Sequence, residues 1–583
     1  MHLTWPDWLI IGAYLGFALG VGLLLRRRAS RSTEEFFLAG RSLPWWLAGT
    51  SMVATTFAAD TPLAITEYVR DGGIWRNWFW WSMALFHVLG VFLFARLWRR
   101  AGVLTDAELC EKRYEGRPAA ALRTLKAFLF AVPYNVLVMA WVMAAMATIL
   151  EEMMGVDGRF AVAVLAAIAL LYAGLSGLWG VVVTDLAQFA LALGGTIVFA
   201  FVAVGHTGGL DQLVAEVTAK DPSGNILSFV PSFAKEAGYH LPEPHPLYDP
   251  LTQFLVLVTV MWWANHNADG GGALMQRSAA AKDERHALWA AFWFSLLHYS
   301  VRAWPWILVA LATLILVPSL PEGAGEGSAY PRLMAELLPA GLRGLLVAAF
   351  MAAFMSTIDT HLNWGASYLV RDLYVRRLRP EASEKHALVA ARLATALLMV
   401  LAALASFFVT SISGAWEFVW SLGAGLGPVL ILRWFWWRVN AWSELVALGS
   451  SLVLALILPF WDLPVHVKAL ILVPATIACW LPVTLLTRPV SREHLGAFYA
   501  LVRPGGCWRP VVGDSTLPKD RVLTRFLILD FASGLGAIFG LGFGLGSLLL
   551  GRPGQGALLL VLVAGCTLVL FLRHGRRPRG SGA

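Results

Sequence analysis

Stretches of about twenty apolar residues, the length an α-helix needs to cross a bilayer, recur roughly fifteen times along this chain. They fall near residues 7–25, 44–69, 75–97, 120–150, 159–177, 180–204, 250–275, 284–317, 339–370, 386–410, 414–437, 442–461, 465–487, 523–549 and 555–573. The pattern predicts an all-α polytopic membrane protein. Two runs are broken in mid-membrane. The second contains Ala54-Thr-Thr-Phe57-Ala-Ala59-Asp60-Thr61-Pro62, where Pro62 lacks a backbone donor and pushes Thr61 out of the α region. The seventh contains Ala264-Asn265-His266-Asn267-Ala268-Asp269-Gly270-Gly271-Gly272, a run of glycines and backbone-competing side chains that opposes a continuous helix. Unwound backbone at this depth is tolerated only where it lines a protein or water cavity.

The two breaks lie an odd number of spans apart, so the second set of helices crosses the other way up. Residues 42–204 and 250–437 therefore read as two inverted repeats of five helices, each opening with a discontinuous helix. Around them are a leading helix (1–30), an external loop (205–249), two peripheral helices (438–487), a cytoplasmic linker (488–522) and two C-terminal helices with a basic tail (523–583).

A third polar interruption has the chemistry of an ion site. In Ala353-Phe-Met-Ser356-Thr357-Ile-Asp359-Thr360, hydroxyls and a carboxylate stand inside an apolar helix. A charge at the bilayer centre costs roughly 2.5–3.5 kcal/mol on insertion scales and persists where it meets a cavity, a partner or an ion. Hard oxygen donors suit a small hard cation. Positions 353, 356, 357 and 360 share one helix face.

Composition agrees with the membrane assignment: 58% of the 583 residues are hydrophobic and 14% are charged. The net charge of +8 is a topology signal. Arg99, Arg100, Lys112, Arg113, Arg277, Lys282, Arg285, Arg371, Arg376, Arg377, Arg379, Lys385, Arg573, Arg576, Arg577 and Arg579 fall in alternate loops and mark them as cytoplasmic, whereas 205–249 is acidic. Nucleic acid is not an expected partner. The first run is expected to be a retained helix with its N-terminus outside, since Arg26-Arg27-Arg28 follows the apolar stretch and no basic segment precedes it. Cys110, Cys479, Cys507 and Cys566 are scattered and give neither a disulfide framework nor a zinc spacing. The tryptophan clusters at 75–81 and 434–437 read as interfacial belts, and His266, His298 and His361 as polar cavity lining.

Several stretches resemble the sodium:solute symporter family, with its LeuT-like inverted-repeat fold. They are Ser32-Thr-Glu-Glu-Phe36-Phe-Leu38-Ala39-Gly40-Arg41, Gly174-Leu-Ser-Gly177 through Thr184-Asp185-Leu-Ala-Gln188, Gln276-Arg277, Ala353-x-x-Ser356-Thr357 with Asn363, and Asp372-Leu-Tyr374. The resemblance runs from about residue 5 to 510. It implies a sodium site made by the carbonyls of Ala54, Phe57 and Ala353 and the hydroxyls of Ser356 and Thr357. It also implies a second site at Asp185, Ser356, Asp359 and Thr360. There this chain departs from the family's usual hydroxyls by placing a carboxylate at 359, so the second ion is sodium or a proton.

With about 100 mV and a tenfold gradient, each sodium entering supplies roughly 3.7 kcal/mol, enough to concentrate a neutral solute about 500-fold. The expected activity is sodium-coupled uptake of a small polar organic solute across the plasma (inner) membrane. Asp60, Thr61, Asn265, Asn267, Asp269 and Arg302 are the candidate solute contacts. Arg302 suits a carboxylate, Asp60 or Asp269 an ammonium, so an amino-acid-like or carboxylate solute is expected. Thr61 stands where sugar-binding members commonly carry glutamine. The glycines between Gly534 and Gly546 predict close helix packing. The bilayer, the solute and sodium are the expected partners, with no obligate protein partner. A proton-coupled transporter of the same fold, a transporter-like sensor and a membrane-embedded enzyme are the alternatives.

Overall fold

The computed structural model describes residues 3–29, 32–222, 224–231, 247, 249–409, 412–461, 463–513 and 525–575. Most of the acidic loop at 232–246, the linker at 514–524 and the tail at 576–583 lie outside the described residues. Helix α1 (Trp5–Ala29) leads. The first interrupted span is α2 (Trp45–Thr55) with α3 (Thr61–Gly72). Next come α4 (Ile74–Ala101), α5 (Gly116–Met154) and one continuous helix, Gly158–His206, whose two apolar stretches are α6 (Gly158–Leu171) and α7 (Leu178–His206). The second interrupted span is α8 (Pro250–Ala264) with α9 (Ala273–Ala280). After it run α10 (Glu284–Leu316), α11 (Leu342–Leu378), α12 (Glu384–Ser406) and the bent pair α13 (Gly414–Gly423) and α14 (Leu426–Phe435). Helices α15 (Ala441–Phe460), α16 (Val465–Leu486), α17 (Leu527–Leu549) and α18 (Pro553–His574) complete the described chain.

Among the described residues, eleven helices are long and apolar enough to cross a membrane, or twelve with the bent pair joined across its 41° break. The expected runs 159–177 and 180–204 are parts of one continuous helix, and the halves of the two interrupted spans are too short to pass that test alone, so the fifteen expected runs do not all reappear as separate full-length helices. Both interruptions fall where the residues demanded them. Helix α2 stops at Thr55 and α3 restarts at Thr61 with Pro62 in its first turn, where a missing N–H costs nothing. Helix α8 stops at Ala264 and α9 resumes only at Ala273, after Gly270 and Gly272 take positive φ.

The entrance to the first broken span meets the exit from the second. The Leu43 amide donates to the Ala280 carbonyl and the Lys282 amide to the Leu43 carbonyl, each at 3.1 Å. The two spans therefore pass through the core in opposite directions, as inverted repeats must. Pro305 distorts α10 one turn earlier, where Leu297–Val301 is a π-helical segment.

The tryptophan belt expected at 75–81 is not at an interface. Trp75, Trp78, Trp80 and Trp81 are all buried. The glycine-rich face of α17 is the reason, because it lays Phe539 and Phe543 against Trp78 at ring distances of 5.1 and 5.9 Å. The same face takes the Trp304 indole N–H on the Gly542 carbonyl at 2.7 Å and the Ser300 hydroxyl on the Ile538 carbonyl at 2.7 Å. Trp434 is likewise buried, with its N–H on Asp269.

Candidate functional site

Helix α2 ends in the protein interior, where its last carbonyls run out of helical partners after Met52. The fold satisfies each differently. Met52 accepts the Thr56 amide at 3.3 Å, and Ala54 accepts the Phe57 amide at 3.0 Å in a tight turn. Val53 accepts Nη1 of Arg302 from α10 at 3.1 Å. Thr55 accepts the Thr357 hydroxyl from α11 at 2.9 Å, and that hydroxyl also lies 3.1 Å from the Ala353 carbonyl. Of the expected set, Thr357 and the Ala353 carbonyl meet the opened end of α2, whereas the Ala54 carbonyl is taken by the Phe57 amide. The carbonyl that touches Thr357 is that of Thr55, which the sequence reading did not name.

Ser356 points away from this group. Its hydroxyl donates to Asp185 on α7 at 2.5 Å, and the other oxygen of Asp185 accepts from Ser51 on α2. Thr360 completes this second cluster through Thr55, at 2.9 Å between hydroxyls. Asp359 does not join it by any hydrogen bond; both its carboxylate oxygens are buried without a partner. The charge that meets Asp185 is instead Arg277, at 3.8 Å. Arg277 was counted with the cytoplasmic loops, yet it is fully buried. Helix α9 folds back beside α2 and sends the guanidinium to the hydroxyls of Thr360 at 2.5 Å and of Ser51 and Thr55 at 3.3 Å. Neighbouring Gln276 donates to Asn363 at 2.7 Å and to the Phe37 carbonyl at 3.0 Å, which ties the motif residues of three segments together.

Beside these clusters lies a cavity of about 330 Å³. Asp60, Thr61, Asn267, Arg302, His298 and His361 all line it. Asn265 does not: it caps the end of α8, with its amide on the Trp262 carbonyl at 2.9 Å and its oxygen accepting from Asn267. Asp269 is also turned elsewhere. It pairs with Arg433 of α14 at 2.5 Å and takes the Trp434 indole N–H at 2.9 Å, while Glu444 meets the same Arg433 at 3.3 Å. This buried ion cluster staples the second break to α14 and α15, so the unwound segment itself supplies only Asn267, Gly270 and Gly271 to the cavity.

The cavity histidines each have a fixed ring. His298 Nδ1 lies 2.9 Å from the Thr56 hydroxyl and His361 Nδ1 lies 2.6 Å from the Asn135 amide oxygen. His87 Nδ1 lies 2.5 Å from the Tyr299 hydroxyl, and this histidine, like Trp141 and Trp416 in the same wall, escaped the sequence reading. Nothing in a single helix distinguishes them from packing aromatics. His266, expected in the cavity, is instead half-buried against Phe130 and Tyr134, with its enclosed ring nitrogens unpartnered.

Comparison with known proteins places the arrangement. The model of the sodium:solute symporter family matches residues 36–448. This chain belongs to that family. It is 26% identical over 546 residues to a sodium/glucose cotransporter 4 of Danio rerio, covering 84% of this chain and 80% of that one. It is 27% identical over 484 residues to a sodium/glucose cotransporter of Vibrio parahaemolyticus, covering 79% and 86%. A human sodium/myo-inositol cotransporter 2 is 27% identical over 496 residues, covering 77% and 69%. In fold, the chain superposes on a substrate-bound, outward-open Na+-coupled sialic acid symporter with a TM-score of 0.68 and 19% identity, over 84% of this chain and 99% of that one. The protein is a multi-pass membrane transporter of LeuT-like fold, a secondary active transporter and not an enzyme.

Proposed function

We propose that this symporter imports a small polar organic solute with sodium by alternating access across the plasma (inner) membrane, with its N-terminus outside and its C-terminus in the cytoplasm. The first sodium is held where α2 opens, by the carbonyls of Ala54, Phe57 and Ala353 and the hydroxyl of Thr357, and Ser356 joins it by turning its hydroxyl from Asp185. A second sodium enters between α7 and α11, with Asp185, Ser356 and Thr360 as its oxygens and Asp359 on the same helix turn, only when Arg277, which holds Thr360 and faces Asp185 in this structure, withdraws from them. The solute occupies the adjacent cavity against Asp60, Thr61 and Asn267.

The observation that carries this reading is the Thr357 hydroxyl, which bridges the carbonyl left free by the broken helix and one on its own helix. A hard cation could replace the hydroxyl proton as the charge that those oxygens face, and inward or outward tilting of the broken helix would then open or close its coordination. The donors are neutral oxygens apart from Asp185, which suits a monovalent ion. The test is reconstitution into proteoliposomes, with uptake of labelled solute driven by an inward sodium gradient. Concentrative uptake that collapses when potassium replaces sodium supports the reading. Uptake that persists unchanged under that replacement, or that never exceeds equilibration, overturns it.

A further inference from the structure

We infer that the solute is a cationic ammonium compound whose positive nitrogen sits on the free oxygen of Asp60, between the indoles of Trp416 and Trp141. This rests on the symport reading and narrows its solute.

Asp60 is the last residue before α3, yet its side chain makes no capping bond to that helix. One oxygen accepts the Trp416 indole N–H at 2.8 Å, and Trp141 lines the same cavity. The other oxygen is buried with no partner, in a side chain only 2% exposed on the cavity wall. An unmet carboxylate oxygen away from water is costly and calls for a ligand that brings it a donor or a positive charge. The walls around it are rich in aromatic rings, with Trp80, Trp141, Trp364, Trp416 and Tyr134 all lining the cavity. Such faces attract a cation and repel an anion.

Arg302, the one basic side chain other than histidine on the cavity wall, is already committed. Its Nη1 donates to the Val53 carbonyl at 3.1 Å and to the Thr56 hydroxyl at 3.2 Å, and its Nη2 lies 3.4 Å from His298. The guanidinium also lies over Phe57 and Trp306, at 5.8 and 5.4 Å from their ring centres. It thereby caps the negative end of the α2 dipole. Only Nε is left without a partner, a single donor where a carboxylate fork needs two. A solute carboxylate would have to pull Arg302 off the broken helix, whereas a solute ammonium needs no rearrangement. Of the two charged groups expected on the solute from sequence, the ammonium is the one the cavity is built to receive.

The test uses the full-length protein in detergent, with thermal unfolding followed in sodium and in potassium buffers. The probes are choline and tetramethylammonium, glycine betaine, acetate, glucose and myo-inositol. Choline and tetramethylammonium should raise the unfolding temperature in sodium and much less in potassium, with acetate and the two neutral polyols inert. Asp60→Asn should raise the choline concentration for half-maximal effect by roughly a hundredfold, the scale expected when one member of a buried charge pair is truncated. Trp416→Phe, which keeps an aromatic face but loses the N–H, should raise it less. Sodium-dependent stabilisation by glucose, myo-inositol or acetate without any by the ammonium probes overturns the inference and leaves sodium symport standing. Identical behaviour of every probe in sodium and potassium overturns the symport reading as well. Should the Asp60 variant fail to fold, the selectivity of the unaltered protein still decides.

Discussion

Replacing Thr357 by alanine removes the side-chain oxygen that joins the opened end of α2 to α11. In the structure that hydroxyl donates to the Thr55 carbonyl at 2.9 Å and lies 3.1 Å from the Ala353 carbonyl. Both carbonyls are enclosed, and Thr357 is 3% exposed, so water cannot take over the lost contact. Stripping the partner from one buried polar group costs about 1–3 kcal/mol. If that loss falls on the ion-bound state, it corresponds to roughly a 5- to 140-fold weaker sodium affinity at 1.4 kcal/mol per decade. The assay is thermal unfolding of the purified protein across a sodium titration, with ionic strength held constant by potassium. Thr357→Ala should shift the half-maximal sodium concentration upward by that factor, and Thr357→Ser, which keeps the hydroxyl, should stay within a few-fold of the unaltered protein. A folded alanine variant with an unshifted sodium midpoint would refute the placement of the ion against Thr357.

Ser356→Ala should also weaken sodium binding, and because Ser356 donates to Asp185 it should perturb the second site at the same time; sodium-to-solute flux ratios report both. Asp185→Asn and Asp359→Asn should change the sodium stoichiometry or the pH dependence of uptake, and two silent variants would eliminate the second site. Arg433→Met strands Asp269 and Glu444 as buried unpaired carboxylates and should cost about 3–5 kcal/mol, seen as a large fall in unfolding temperature that Asp269→Asn combined with Glu444→Gln partly restores. Gly546→Ala places a methyl 1.8 Å from the Trp304 ring and should loosen α17 from α10, whereas Gly554→Ala, with open space around it, should be neutral in the same unfolding assay.

The pair of interrupted helices and their antiparallel relation were readable in the chain, because each depends on local causes. Pro62 and the Gly270–Gly272 run disfavour helix wherever they stand, and the count of spans between them sets their relative direction. The hydroxyl face at 353, 356, 357 and 360 was equally local, since helical spacing puts those residues together in any fold. The partners of those residues were decided by tertiary packing. Arg277 and Asp269 look alike in sequence, two charges beside the second break, yet the first neutralises Asp185 in the core and the second is consumed by Arg433. Trp80 sits in a cluster that reads as interfacial until α17 and the cavity claim it, and Trp416 carries no signal in sequence at all. Charge and aromatic side chains carry long reach and no periodic signature, so which group they meet depends on helices distant in the chain. Local backbone preference wrote the breaks; only the assembled bundle determined which carbonyls, carboxylates and rings those breaks would face.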